Sequence, residues 1–144
     1  MRLACLAFLA CATAAFSQDA ARYGVRPDRK SYPQATAKEA LGSVLKAIDD
    51  RRFDYLTAQL ADPAFIDDRV KRVYAGKFDE QVQDTQARLD PAAVKLLRRF
   101  AKDGTWTVGK ATAVVGLEGV PERVVRLVKK GDLWFLAHDS SPER

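Results

Sequence analysis

His138 is the single imidazole in 144 residues, so acid–base chemistry near neutral pH would have to run through it. A catalytic imidazole needs a carboxylate to orient it. Asp139 is adjacent, and on a continuing strand it would point to the opposite face. No other carboxylate is selected by spacing, and a strand-end side chain at the surface is the plainer reading of His138. Carboxylate pairs stand at Asp49-Asp50, Asp67-Asp68 and Asp79-Glu80. Helix neighbours diverge by about 100°, so no such pair closes on one substrate atom. Asp67 and Asp68 follow Pro63 by one turn, where negative charge favours the helix dipole. Ser43, Ser140 and Ser141 lack a nucleophile elbow, and the glycines form no phosphate-cradling run. One histidine excludes most zinc sites, and no stretch has calcium-loop spacing. No cofactor and no metal are expected.

Residues 1–17 read as an export signal: one cation, Arg2, then an apolar run. Ala15 and Ser17 place small side chains at −3 and −1 of a cut between Ser17 and Gln18. The run is shorter than the roughly 20 residues needed to cross a bilayer, and no later segment could span. A periplasmic or secreted protein is expected. An envelope lipoprotein acylated at Cys11 is the alternative, since Phe8-Leu9-Ala10-Cys11 partly matches a lipoprotein box. Both cysteines, Cys5 and Cys11, lie in the signal, so the mature chain of about 127 residues is cysteine-free and depends on its core alone.

Residues 18–34 lack apolar periodicity and carry Pro27, Pro33 and the cations Arg22, Arg26, Arg29 and Lys30. They read as an extended or disordered arm, with Tyr23, Val25 and Tyr32 leaving open that it packs on the domain. Residues 35–139 read as one domain, followed by a tail at 140–144. Thr36 and Glu39 form a capping box ahead of the stripe Ala37, Ala40, Leu41, Val44, Leu45, Ile48. A short second helix covers Phe53 to Leu60. Asp62-Pro63 and Asp90-Pro91 each supply an N-cap and a proline at N1, starting a third and a fourth helix. Gly76 breaks or bends the third, and Gly104 stops the fourth.

From Trp106 the period changes from 3.6 to 2. Trp106 to Val108, Thr112 to Leu117, Arg123 to Lys129 and Leu133 to His138 read as strands joined by short turns, which connect antiparallel neighbours. The expected fold is α+β: an N-terminal layer of about four helices, then a three- to four-stranded antiparallel meander. Both faces of that sheet are apolar. Trp134 and Leu136 oppose Leu133 and Phe135, and Val125 and Leu127 oppose Val124 and Val128. Something besides the helices should cover the second face: the arm, a small-molecule pocket, or a second subunit. The basic pairs mostly have acids nearby, and loss of Arg2 leaves four of the five surplus charges, so nucleic acid is not an expected partner.

Two segments resemble the NTF2-like (SnoaL-like) superfamily of small α+β domains. One is helix Ala37 to Ile48 followed by the charged phrase Asp49-Asp50-Arg51-Arg52 and then Phe53-Asp54-Tyr55-Leu56. The other is the closing hairpin Val124 to Leu136. The chain as a whole is also similar to short exported bacterial proteins. The resemblance implies a cone-like arrangement of sheet and helices around a pocket, and a superfamily of hydrolases, isomerases, dehydratases and silent binding modules. It implies two functional readings. In the first, the chain is a non-catalytic module for a small apolar ligand or a protein, with Trp134 and Leu136 at a pocket or interface. It would be homodimeric through the sheet face, by the superfamily's habit. In the second, His138 works with a carboxylate as an acid–base pair, in a pocket walled by Tyr55, Tyr74 or Trp106.

Overall fold

A computed structural model of the chain describes residues 20–138. The expected export signal at 1–17, the expected cut between Ser17 and Gln18, the lipoprotein alternative at Cys11 and the expected tail at 140–144 all lie outside the described residues. Helix α1, Ala37–Asp49, starts on the capping box: Glu39 N–H donates to the Thr36 hydroxyl at 3.1 Å, and Thr36 N–H donates to the Glu39 carboxylate at 3.1 Å. α2, Phe53–Tyr55, runs straight into a π-helical turn, Leu56–Leu60, all five of whose residues are buried. α3, Pro63–Arg72, and α5, Pro91–Asp103, begin at Asp62 and Asp90, whose carboxylates accept from Ala64 and Ala93 N–H. Gly76, at φ +87°, separates α3 from α4, Phe78–Arg88.

The strands are β1 Thr105–Val108, β2 Thr112–Gly116, β3 Val124–Lys130 and β4 Leu133–Leu136, all antiparallel in the order β1-β2-β3-β4. Gly131 turns β3 into β4 at φ +60°, the first-position requirement of a type II′ hairpin. This open sheet corrects the cone-like expectation. β1 and β4 lie at opposite edges and do not pair, and four strands of four to seven residues are too few and too short to close on themselves. Helices α3 to α5 fill residues 63–103, so no strand comes from that stretch to extend and curl the sheet.

Register sorts the two faces. Trp106, Val115, Ala113, Val125, Leu127, Trp134 and Leu136 share the inner face and pack on α1 and α5 through Ala37, Ala40, Leu41 and Phe100. A second cluster joins Val44 and Ala47 of α1 to Tyr32, Tyr55, Leu56 and Leu60, and Leu136 packs against both. The outer face carries Thr105, Thr107, Thr112, Val114, Arg126, Val128 and Lys130, with Leu133 and Phe135 buried at its β4 end.

The arm docks on this domain. Arg22 and Val25 exchange backbone hydrogen bonds of 3.0 and 2.8 Å across a turn in which Tyr23 and Gly24 take φ +51° and +78°. The π turn moves hydrogen bonding from i+4 to i+5, as in Ala61 N–H to Leu56 C=O at 2.9 Å. Its carbonyls at Ala58 and Gln59 accept instead from the arm: Arg22 Nε at 2.8 Å and Gln34 Nε2 at 3.1 Å. Gln34 also donates to Trp134 C=O at 2.8 Å and accepts from Trp134 N–H at 3.0 Å, so it occupies the outer edge of β4. Asp62 N–H takes Leu136 C=O at 2.8 Å further along that edge.

Candidate ligand-binding site

Helix α3 stands on the end of β4 and separates two concavities. Its anchoring follows from Asp62, which caps the helix, bonds β4 through its N–H and receives Lys130 Nζ at 2.5 Å. Phe65, Ile66 and Arg69 face one concavity, and Pro63, Ala64 and Asp67 face the other, as the 100° helical advance requires.

The first is the His138 cleft, about 200 Å³, with Leu56, Phe65, Ile66, Leu89 and Leu136 as apolar wall. His138 lies beyond the last residue of β4, exposed, with its ring stacked on Phe65 at 4.0 Å between centroids and 13° between planes. The polar side chains of the cleft bond to one another. Arg69 donates to Gln81 at 3.1 Å, to the Tyr74 hydroxyl at 3.2 Å and to Asp84 at 3.4 Å, and Arg88 reaches Asp84 at 3.0 Å. Charges spent on one another in this way are poorly placed to act on a guest.

Of the residues singled out in the sequence, only Leu136 and His138 line this cleft. Tyr74 is half-buried and touches it through Arg69, whose guanidinium lies 5.6 Å from the Tyr74 ring centroid. Tyr55 is buried in the second cluster. Its hydroxyl accepts from Asp28 N–H at 2.8 Å, and burial pushes its phenol above the ordinary range. Trp106 packs half-buried on β1, and Trp134 is buried on the inner face against the helices, so these four do not converge on one pocket. Among the described residues no group of three or more His, Cys, Asp or Glu is placed to hold a metal ion. No helix there is long and apolar enough to cross a membrane.

The second concavity, the arm groove, is larger, about 440 Å³. Leu133 and Phe135 form its floor, and Pro63, Ala64 and Gln59 continue the wall. The arm supplies the far side through Ala20, Arg22 and Arg29, and Lys130 and Gly131 close the β3–β4 end. The arm is latched at Asp67. Arg22 reaches both carboxylate oxygens, at 2.6 and 3.3 Å, and the Tyr23 hydroxyl donates at 2.6 Å. Burial raises the Asp67 pKa, but the hydrogen bonds from Arg22 and Tyr23 outweigh it and hold the carboxyl below its usual range. Burial and the same carboxylate push the Tyr23 phenol up to about 12. Tyr23 also stacks on Phe78 at 4.3 Å.

The groove was half legible. The two-faced apolar pattern of β4 marks Leu133 and Phe135, and the arm is one of the covers that pattern allows. The role of Asp67 was hidden, because a carboxylate after an Asp-Pro cap already has a local explanation in the helix dipole. Comparison with known protein families, curated proteins and solved structures finds no match to this chain, so its function is read from these two concavities.

Proposed function

We propose that the chain is an exported, non-catalytic binding module that holds a small apolar molecule in the arm groove. The observation that carries this reading is the pair Leu133 and Phe135, the apolar floor of a recess at the β4 end of the outer sheet face, walled by the arm and by Pro63 and Ala64 of α3. Its volume falls within the range of roughly 300–1,000 Å³ common for small-molecule sites, whereas the His138 cleft falls below it. The test is calorimetric titration with 1-decanol, with NMR to locate the contact. Binding that shifts the Leu133 and Phe135 signals and is lost in Phe135→Ala supports the reading, with His138→Ala leaving it unchanged. Absence of binding overturns it. For the export component, sequencing of the native protein should begin at Gln18. A diacylglyceryl-modified Cys11 would replace secretion with envelope anchoring.

Association of two copies through the sheet is the second reading. It is favoured by Val114, Val124 and Val128, which lie half-buried on the outer face beside the groove. Light scattering at micromolar concentration should give twice the monomer mass, reverting to the monomer in Val128→Lys.

A further inference from the structure

Helix α5 carries its cations differently from the other helices. Among the described residues, each of those leaves at most one cation without an ion pair: Lys46 is held by Asp50, Arg69 and Arg88 by Asp84, and Arg72 by Asp68. In α5 only Arg98 is paired, to Asp49 of α1, while Lys95, Arg99 and Lys102 are exposed and make no ion pair among the described residues. Their i, i+4, i+7 spacing sets these three in one stripe about 10 Å long, turned away from the buried Phe100. Local helix chemistry does not account for the stripe. The dipole favours a cation at Lys102, in the last turn, but not at Lys95, just past the first. Like charges at i and i+4, as in Lys95 and Arg99, weaken a helix.

We infer that the α5 stripe docks the protein on an anionic phospholipid surface, with Lys95, Arg99 and Lys102 set against the headgroup phosphates. This goes beyond the binding proposed above, because no residue of α5 lines either concavity. The rest of the helix surface selects the partner. Beside its charged side chains α5 exposes only Pro91, Ala92 and Ala101, and the exposed large apolar side chains Tyr23, Val73 and Val108 all lie on other segments. A protein partner draws its affinity from buried aromatic or aliphatic anchors, and single-stranded nucleic acid from stacking on aromatic rings. A duplex groove admits a helix that projects, whereas α5 is bound down to α1 by the Arg98–Asp49 pair and to the core by Phe100. A headgroup layer asks only for accessible cations on long stems, each reaching a different phosphate.

The experiment measures co-sedimentation of the chain starting at Gln18, which holds every residue of the fold described above, with lipid vesicles. One set contains phosphatidylglycerol and phosphatidylcholine in equal parts, the other phosphatidylcholine alone. Each cation near an anionic surface contributes about five-fold, so at low salt the mixed vesicles should be preferred by about a hundred-fold. High salt should shrink that preference, as expected for exposed charges. Lys95→Gln, Arg99→Gln and Lys102→Gln combined should abolish it, with the far-ultraviolet spectrum unchanged because all three side chains are exposed. Lys95→Arg with Lys102→Arg should retain it. Lys30→Gln, Lys71→Gln and Lys110→Gln combined remove the same charge from exposed positions on other segments, and should leave the preference within about five-fold of its starting value. Equal losses in the two triple variants would trace the binding to net charge and overturn the inference. So would equal binding to the two kinds of vesicle, or tighter binding of a short DNA duplex through the same three residues.

Discussion

Replacing Gln34 by leucine tests whether the arm is part of the folded unit. Gln34 is 3% exposed, and its amide nitrogen serves Gln59 C=O at 3.1 Å and Trp134 C=O at 2.8 Å. Leucine has nearly the same bulk and no donor, so the substitution strands two carbonyls without opening a cavity. A buried polar group left without its partner costs about 1–3 kcal/mol, so the two together set an upper range of about 2–6 kcal/mol. Two effects lower it. Each carbonyl keeps a second lone pair that water can reach if the arm shifts, and the leucine gains some apolar burial. The expected loss is about 2–4 kcal/mol, read as a lower urea midpoint at unchanged slope. Hydrogen exchange supplies the local readout, because Trp134 N–H is bonded to Gln34 C=O. If the arm peels away alone, Trp134 exchange accelerates while the urea midpoint holds; if the arm is integral, both move. A variant with wild-type midpoint and wild-type exchange at Trp134 would refute the argument that Gln34 ties the arm to β4 and the π turn.

Three further outcomes follow from the same geometry. Leu41 is fully buried between α1 and the sheet, so Leu41→Ala should cost about 2–5 kcal/mol by chemical denaturation, and a loss near zero would displace α1 from the core. Gly104 and Gly42 should respond oppositely to alanine. A Cβ at Gly104 would lie 2.3 Å from Phe100 C=O and from the Val115 side chain, costing about 1–3 kcal/mol. One at Gly42, inside α1, meets nothing within 4 Å and should gain up to about 1 kcal/mol. Finally, the Tyr23 phenol stays protonated to about pH 12 in the fold but ionises near 10 when free. The unfolded chain therefore binds fewer protons between those values, so this contact's contribution is complete below about 10 and lost as pH rises toward 12. Tyrosinate absorbance should show the late titration lose one phenol's amplitude in Tyr23→Phe, while the Tyr32 and Tyr55 phenols, also held up by burial, keep theirs.

The helices were legible because their signals are local. The Thr36–Glu39 box and the two Asp-Pro caps act within one turn, and the structure starts α1, α3 and α5 at those residues. The period-2 strands were legible for the same reason, each within a residue or two of its observed bounds. What the sequence hid depends on partners far along the chain. Nothing near Gln34 announces that it will meet Trp134, and nothing near Asp67 announces Arg22 and Tyr23. The π turn was read as ordinary helix because Phe53, Leu56 and Leu60 suit helical spacing, while the register change serves the arm's donors. Tyr55, Tyr74, Trp106 and Trp134 scattered, while Leu136 and His138 met at one cleft, because residue type marks burial, and burial alone does not say which cavity a side chain borders.

The seal that Gln34 and Asp62 place along β4 also bears on how copies of this chain can polymerise. A sheet with two bare edges can be extended from either side, and successive additions build fibres. Here one edge is taken, while among the described residues β1 pairs only with β2 and leaves its other side open. Strand addition at β1 joins two open edges about a two-fold axis and presents sealed edges at both ends, so growth terminates at a pair. A chain that lost the arm would bare β4 at Trp134 while Asp62 still covered Leu136, and that partly opened edge would offer a route to open-ended filaments.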